Sequence, residues 1–511
     1  MSKQKTLTRK RADKLTGTDI VIPAGYTKIG YAAFHERHDI ERIIIPEGVT
    51  VIENYAFYVN SIVSLKLPES LIRIGNEAIS RCDYLEELTI PCNVRHIGKR
   101  AFSGCRTLAK LTISKSVKYI GKNAFDGCEK LIHIHVEEGN PSFSTLNGVL
   151  CNKDKTLLIK YLSATPTKNY TIPNGVKKIA DDAFRSCENL TQVNIPESVV
   201  CIGEDAFLFC NSLQAINVER TNAYFTGVRG ILFSKDKNVL LKCPGNFSGK
   251  TVTVPGSVMS IAKYAFYQCT SIKNIKLSDG VESIGASAFF GCKSLRYMHL
   301  PDSVKHIGNS AFGCCRELKY IRLPAGLTSI ESWVFSSCTY LESIEIPESV
   351  ISIEPWCFQE CLSLKTVTLP KSVITIGKRM FVSCYKLKTI NVAKDNPVFS
   401  DIDGVLFNKN KTALLKYPPG IDAETYTVPN GVKTLGVYAF DDCKLSNIIL
   451  PDGLETIEKD AINGHRKIKN IILPKSVKRI VTDYKAYIIN IHDVQESELV
   501  MDALDGEEKD E

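Results

Sequence analysis

A phenylalanine returns every 23 residues along most of this 511-residue chain. Phe102 to Phe125, Phe184 to Phe207, and the run Phe266, Phe289, Phe312, Phe335, Phe358, Phe381 all keep that step. Around each sits the pattern L-x-x-I-x-I-P-x-x-V-x-x-I-G-x-x-A-F-x-x-C, clearest from Leu88 to Cys105 and from Met298 to Cys315. A period of roughly 20–29 residues marks stacked supersecondary units that cannot bury their apolar faces alone. One elongated array therefore outweighs the length prior of about three domains.

Each repeat carries its own folding instructions. In L-x-x-I-x-I-P the last two apolar residues are two apart and share one face of a short strand, so Leu88 and Ile90 point inward and Thr89 outward. Proline then ends the strand because it offers no N–H to a ladder. V-x-x-I-G is a second short apolar stretch. Its corner tolerates Glu53, Glu331, Glu354 and Glu458, which predicts an ordinary bend instead of a positive φ. The A-F-x-x-C spacing suits one helical or 3-10 turn, and no repeat has space for a longer helix. The expected fold is mainly β with short helical or 3-10 turns, a right-handed solenoid rising about 4.8 Å per rung. Fifteen units are counted by their Phe-equivalent positions, with Ile79 and Ile462 replacing Phe in two.

Three intervals are 59 residues instead of 23: Phe125 to Phe184, Phe207 to Phe266 and Phe381 to Phe440. The added segments resemble one another, as in SFSTLNGVLCNKDKTLLIKYL and VFSDIDGVLFNKNKTALLKYP. In the first, a strand at Val149–Cys151, a polar turn at Asn152–Lys155 and a strand at Leu157–Tyr161 predict a β-hairpin. The phase of the repeat survives each addition, so the hairpins should leave and rejoin the solenoid at one point. They serve either as covers on the sheet edge or as protruding recognition elements. The expected organisation is a basic N-terminal arm at 1–18, the solenoid at 19–480 with hairpins near 138–172, 220–254 and 394–428, and a C-terminal cap with acidic tail at 481–511.

Net charge is +8, but Lys, Arg, Asp and Glu are interleaved through every repeat. Such a mixed surface favours solubility over phosphate tracking, which makes nucleic acid an unlikely partner outside the arm. Both charged ends read as solvated tails. No apolar run is long enough to span a bilayer, and the basic N-terminus lacks an apolar core of the kind a secretory signal carries, so the chain as written is expected in the cytoplasm. Twelve of the 18 cysteines fall three residues after the Phe position. Stacking would align them as a ladder of buried free thiols, in preference to disulfides or metal ligands.

No phosphate loop, metalloprotease, nucleophile-elbow or dinucleotide motif is present, so the reading is no enzyme, no catalytic residues, no cofactor and no small-molecule substrate. His133 and His135 share a strand face, but no third ligand repeats beside them, and no metal is expected. The solvent side of the strands is the remaining resource. Rungs 276 to 345 combine Tyr297 and Tyr320 with Lys276, His299 and Arg322, residue types favoured at interface hot spots. With Asn274 and Glu345 these seven form the candidate partner-binding face.

The consensus I-G-x-x-A-F-x-x-C, repeated over roughly Ile20 to Ile480, closely resembles that of the BspA-like (Treponema pallidum-type) leucine-rich repeat proteins, as does the G-V-L-F-N-K-x-K insert at Gly404–Lys411. The resemblance implies a leucine-rich-repeat horseshoe or arc that binds proteins or host surfaces without catalysis, and many relatives are exported bacterial surface proteins. The resulting expectation is a non-enzymatic protein–protein interaction scaffold. The alternatives are a bacterial cell-surface adhesin binding host protein or carbohydrate, and nucleic-acid binding through the basic arm.

Overall fold

The computed structural model describes residues 5–462, 471, 473–481 and 500–502. They fall in two compact units, one of residues 1–236 and 242–247, the other of residues 237–241 and 248–511. Both are stacks of parallel strands. The only helix among the described residues is the short turn Arg9–Ala12.

Each repeat supplies one strand to each of two ladders. In the first unit the V-x-x-I strands Lys28–Ile29, Val51–Ile52, Arg73–Ile74, His96–Ile97 and Tyr119–Ile120 pair in succession. The L-x-x-I-x-I strands stack likewise, with Leu88, Leu111 and Ile134 in register. The second unit repeats the scheme through Ser260–Ile261, Ser283–Ile284 and His306–Ile307. Leu88 and Ile90 are buried and Thr89 is exposed, the alternation a strand with one solvated face requires.

The phenylalanines form the spine of each core. Phe266, Phe289 and Phe312 are fully buried, with successive ring centroids 5.1 and 5.0 Å apart and planes within 14°. Phe102 and Phe125 do the same in the first unit at 5.9 Å and 2°. Ile79 fills its Phe position fully buried, and Ile462 packs against the core from a partly buried place.

The A-F-x-x-C segment is a pair of tight turns, not a helical one. Its N–H groups close on nearby carbonyls, Ala101 on Gly98 at 3.3 Å and Cys105 on Phe102 at 3.2 Å. The residues before Ala and before Cys take left-handed backbone, as at Arg100 (φ 53°) and Gly104 (φ 76°). Two such residues interrupt the right-handed run that a helix needs. The N–H groups thereby released bond the next rung instead, Phe102 to Ala124 at 2.9 Å and Gly104 to Asp126 at 2.7 Å. The I-G corner is an ordinary bend, and its glycine answers to space: a Cβ on Gly98 would stand 2.4 Å from the carbonyl carbon of Gly75.

The insertions hold more than a hairpin. Phe143–Leu146 and Val149–Asn152 are antiparallel about Asn147–Gly148, both with positive φ, the geometry of a type I′ turn. Val149–Asn152 then pairs antiparallel with Leu157–Lys160, as the sequence predicts. Leu157–Lys160, however, also joins the V-x-x-I ladder in parallel, with Leu158 opposite Ile179. Tyr161 then takes a Phe place: its N–H donates to Ala183 at 2.7 Å, and its ring lies 5.3 Å from that of Phe184. Tyr417 repeats this against Ala439 and Phe440, at 2.7 and 5.6 Å. Tyr161 and Tyr417 each stand 23 residues before the next Phe, as does Cys243, so each 36-residue addition contains a further rung. The chain does not leave and rejoin at one point.

A buried asparagine opens every insertion. The Asn396 amide donates to the carbonyls of Pro370 and Val373 at 2.8 and 2.9 Å, and its Oδ1 accepts from the Val398 and Phe399 N–H groups at 2.9 and 2.8 Å. Asn140 and Asn222 make the equivalent sets. The hairpin tip then closes the edge of the neighbouring sheet, with the Ile390 N–H donating to the Gly404 carbonyl at 2.9 Å and the Ile216 N–H to Gly230 at 2.9 Å. Capping an edge strand in this way removes a template for unwanted pairing.

Residues 6–12, expected within a solvated arm, are folded onto the stack. Thr6–Leu7 pairs with Lys28–Ile29, and Leu7 and Ala12 are buried. Two apolar residues five apart were enough to dock a segment otherwise dominated by charge. At the other end, Arg479–Val481 pairs with both Thr456–Ile457 and Val500–Asp502. The rest of the expected cap and acidic tail lies outside the described residues.

Candidate functional site

The seven predicted residues lie in one region of the second unit. Asn274 and Lys276 flank the buried Ile275 on strand Asn274–Lys276, and Tyr297 and His299 flank Met298 on Tyr297–His299. Tyr320 and Arg322 flank Ile321 on Tyr320–Arg322. Register places Tyr297 opposite Tyr320 and His299 opposite Arg322. Tyr297 and Tyr320 are 58% and 39% exposed, and Asn274, Lys276, His299 and Glu345 are also exposed. Each owes its orientation to the apolar neighbour that the alternation drives inward.

Arg322 is the one member held in place. Its guanidinium donates to Asp302 at 2.9 Å and to the Leu300 carbonyl at 3.2 Å. The same donation holds the Asp302 carboxyl below the usual range. Exposed Lys273, Arg296 and Lys319 precede the central column of Asn274, Tyr297 and Tyr320, so cations border the tyrosines on both sides.

His133 and His135 stand on one exposed face with rings 6.5 Å apart. No group of three metal-binding side chains occurs among the described residues.

The twelve repeat-position cysteines are buried free thiols with a defined task. Cys292, Cys315, Cys338 and Cys361 each direct Sγ at the carbonyl of a Phe one rung back, at 3.1–3.2 Å. Burial pushes these thiols upward in pKa, Cys384 to about 12, so the proton they donate stays in place. In the second rung Asn60 takes the Cys position and donates to the Phe34 carbonyl at 2.5 Å, and in the first Arg37 takes it and donates to the Ala12 and Leu15 carbonyls at 3.2 and 2.9 Å. The position thus supplies a side-chain donor to backbone carbonyls, and thiol chemistry is not what it requires.

Sequence reasoning missed an aromatic row on the turn side of the second unit. Trp333 and Trp356, the only tryptophans in the chain, stack at 6.4 Å. The Arg379 guanidinium lies 4.8 Å from the Trp356 ring centre and 4.0 Å from that of Tyr438. All four occupy the slot two residues before Phe, which varies freely from rung to rung and so gave no periodic signal.

The BspA type leucine rich repeat region model matches residues 12–132, 160–234, 243–339, 305–422 and 420–500. A leucine-rich repeat protein from Eubacterium ventriosum is similar in structure at 23% identity, covering 62% of this chain and 81% of its own, with a TM-score of 0.50. A leucine rich cell surface protein from Faecalibacterium prausnitzii matches at 24% identity over 74% and 88% of the two chains, with a TM-score of 0.41. The T. pallidum leucine rich repeat protein matches at 25% identity over 46% and 86%, with a TM-score of 0.25. No curated protein matches the chain. Among the described residues no helix is long and apolar enough to cross a membrane. With the family model matching most of its length, repeat upon repeat, the chain belongs to the BspA-type leucine-rich repeat family.

Proposed function

We propose that this protein is a non-enzymatic scaffold that binds a protein partner through the strand face around Tyr297 and Tyr320. The observation that carries the reading is the in-register, solvent-exposed pair of tyrosines bordered by cations. Tyrosine and arginine recur at energetic centres of interfaces because they bring large contact area and charge-assisted hydrogen bonds at low entropic cost. The cationic border suits a partner that presents carboxylates there, and Glu345 at the far end sets the direction in which such a segment lies.

The test is affinity recovery with the full chain compared with a Tyr297→Ala, Tyr320→Ala, Arg322→Ala triple variant. A partner that disappears with the variant and returns when Tyr297 and Tyr320 are restored supports the face. Equal recovery of every partner from both proteins refutes it.

A further inference from the structure

A cavity lies at the third insertion. Strand Thr375–Ile376 ends the sheet it shares with Ser329–Ile330 and Ser352–Ile353, while Ala413–Lys416 belongs to the next sheet. The break leaves a cavity of 380 Å³. That volume is within the span of roughly 300–1,000 Å³ typical of small-molecule sites. Ile374, Ile376, Met380, Leu415 and Val437 give it apolar walls.

Every charged side chain in the wall is cationic: Lys378, Arg379 and Lys416. Two of the three are already engaged. Lys416 Nζ donates to the carbonyls of Tyr438 and Asp441 at 3.2 and 2.8 Å. Arg379 lies against Trp356 and Tyr438 and donates to the Tyr438 hydroxyl. Lys378 is exposed, and among the described residues no carboxylate is within ion-pair distance of it.

The first insertion supplies an internal control. Lys122 and Asp181 stand three residues before Phe125 and Phe184, as Lys378 and Val437 stand before Phe381 and Phe440. There Lys122 Nζ meets Asp181 Oδ2 at 2.6 Å, and Arg185 meets Asp126 at 3.0 Å, so ion pairs bridge the break. In the third insertion Val437 replaces the acid, which leaves the cation without its partner beside an apolar hollow. A ligand that restores the missing carboxylate and fills the hollow satisfies both.

We propose that this cavity binds a small carboxylate with an apolar body, of the medium-chain fatty acid class. The chain lies among Ile376, Met380, Leu415 and Val437, and the carboxylate pairs with Lys378. The site is separate from the strand face around Tyr297.

Isothermal titration of the full chain with decanoate tests this, with decanol as the uncharged counterpart. Saturable one-to-one decanoate binding is expected, with decanol about tenfold weaker for want of a charge-assisted bond. Lys378→Ala should weaken decanoate by a similar factor, and Val437→Asp, which rebuilds the ion pair of the first insertion, should abolish saturable binding. Absence of saturable decanoate binding, equal affinity for decanol, or wild-type affinity in Lys378→Ala each overturns the proposal. Should Val437→Asp unfold, the exposed Lys378→Ala change still decides.

Discussion

Cys338 Sγ lies 3.2 Å from the carbonyl oxygen of Phe312, the residue 26 positions earlier whose ring the next Phe covers. The thiol joins two rungs at a place where neither ladder reaches. Removing it takes one of two donors from a buried carbonyl, which keeps the Cys315 N–H at 3.2 Å, and costs about 1 kcal/mol. Cys338→Ala should therefore lower the urea midpoint, while Cys201→Ala, at an exposed site, should leave it within about 0.5 kcal/mol of wild type.

Thiol reactivity follows the same geometry. Cys92 and Cys201 are exposed, and Cys314 is partly so, while the ladder thiols are buried. A thiol-specific chromogenic reagent should titrate Cys92 and Cys201 quickly in the native protein and reach the ladder only after denaturant is added. Fast native reaction of Cys338 or Cys361 would contradict the packing.

Burial raises the Cys384 thiol from 9.0 to about 12 in the folded chain. The unfolded chain therefore releases this proton first, and the contribution of the group is complete below pH 9 and declines as pH climbs towards 12. Melting temperature should fall over that alkaline range, and Cys384→Ala should fall less steeply from its own lower starting point.

Asn396 fixes the entry to the third hairpin with four hydrogen bonds from one buried amide. Asn396→Ala removes all four bonds, taking the amide from the Val373 carbonyl and two N–H groups while the Pro370 carbonyl keeps the Val373 N–H, and should cost about 3 kcal/mol. The check is hydrogen exchange, which should accelerate first in strand Phe399–Ile402, ahead of the Phe335 and Phe358 rungs.

Tyr417 is buried, and its hydroxyl finds no hydrogen-bond partner among the described residues. Its ring alone carries the packing against Phe440. Tyr417→Phe should match or exceed wild-type stability, whereas Tyr417→Ala should lose about 3–5 kcal/mol. Calorimetric melting of the two variants separates these outcomes.

The spacing of Phe266 through Phe381 made the stack legible because one buried ring per rung is a steric necessity, and the cysteines three places on followed it inward. The rungs at Tyr161 and Tyr417 escaped notice because a tyrosine replaces the Phe and no alanine precedes it. The left-handed turns at Arg100 and Trp333 escaped for a different reason: neither carries glycine, the residue by which such backbone is normally read. The tyrosine and cation face could be written down from strand alternation alone. The cavity beside Lys378 could not, since it depends on how two sheet edges fail to meet across an insertion.

Because the first and third hairpins are each followed by a coil of their own, whose Tyr161 or Tyr417 stacks on the next Phe, the coil after each insertion stays in phase. A lineage can therefore graft a new loop into such a chain while the coil that follows still finds its aromatic neighbour. Variation in loop content and constancy of scaffold are, in this architecture, uncoupled traits.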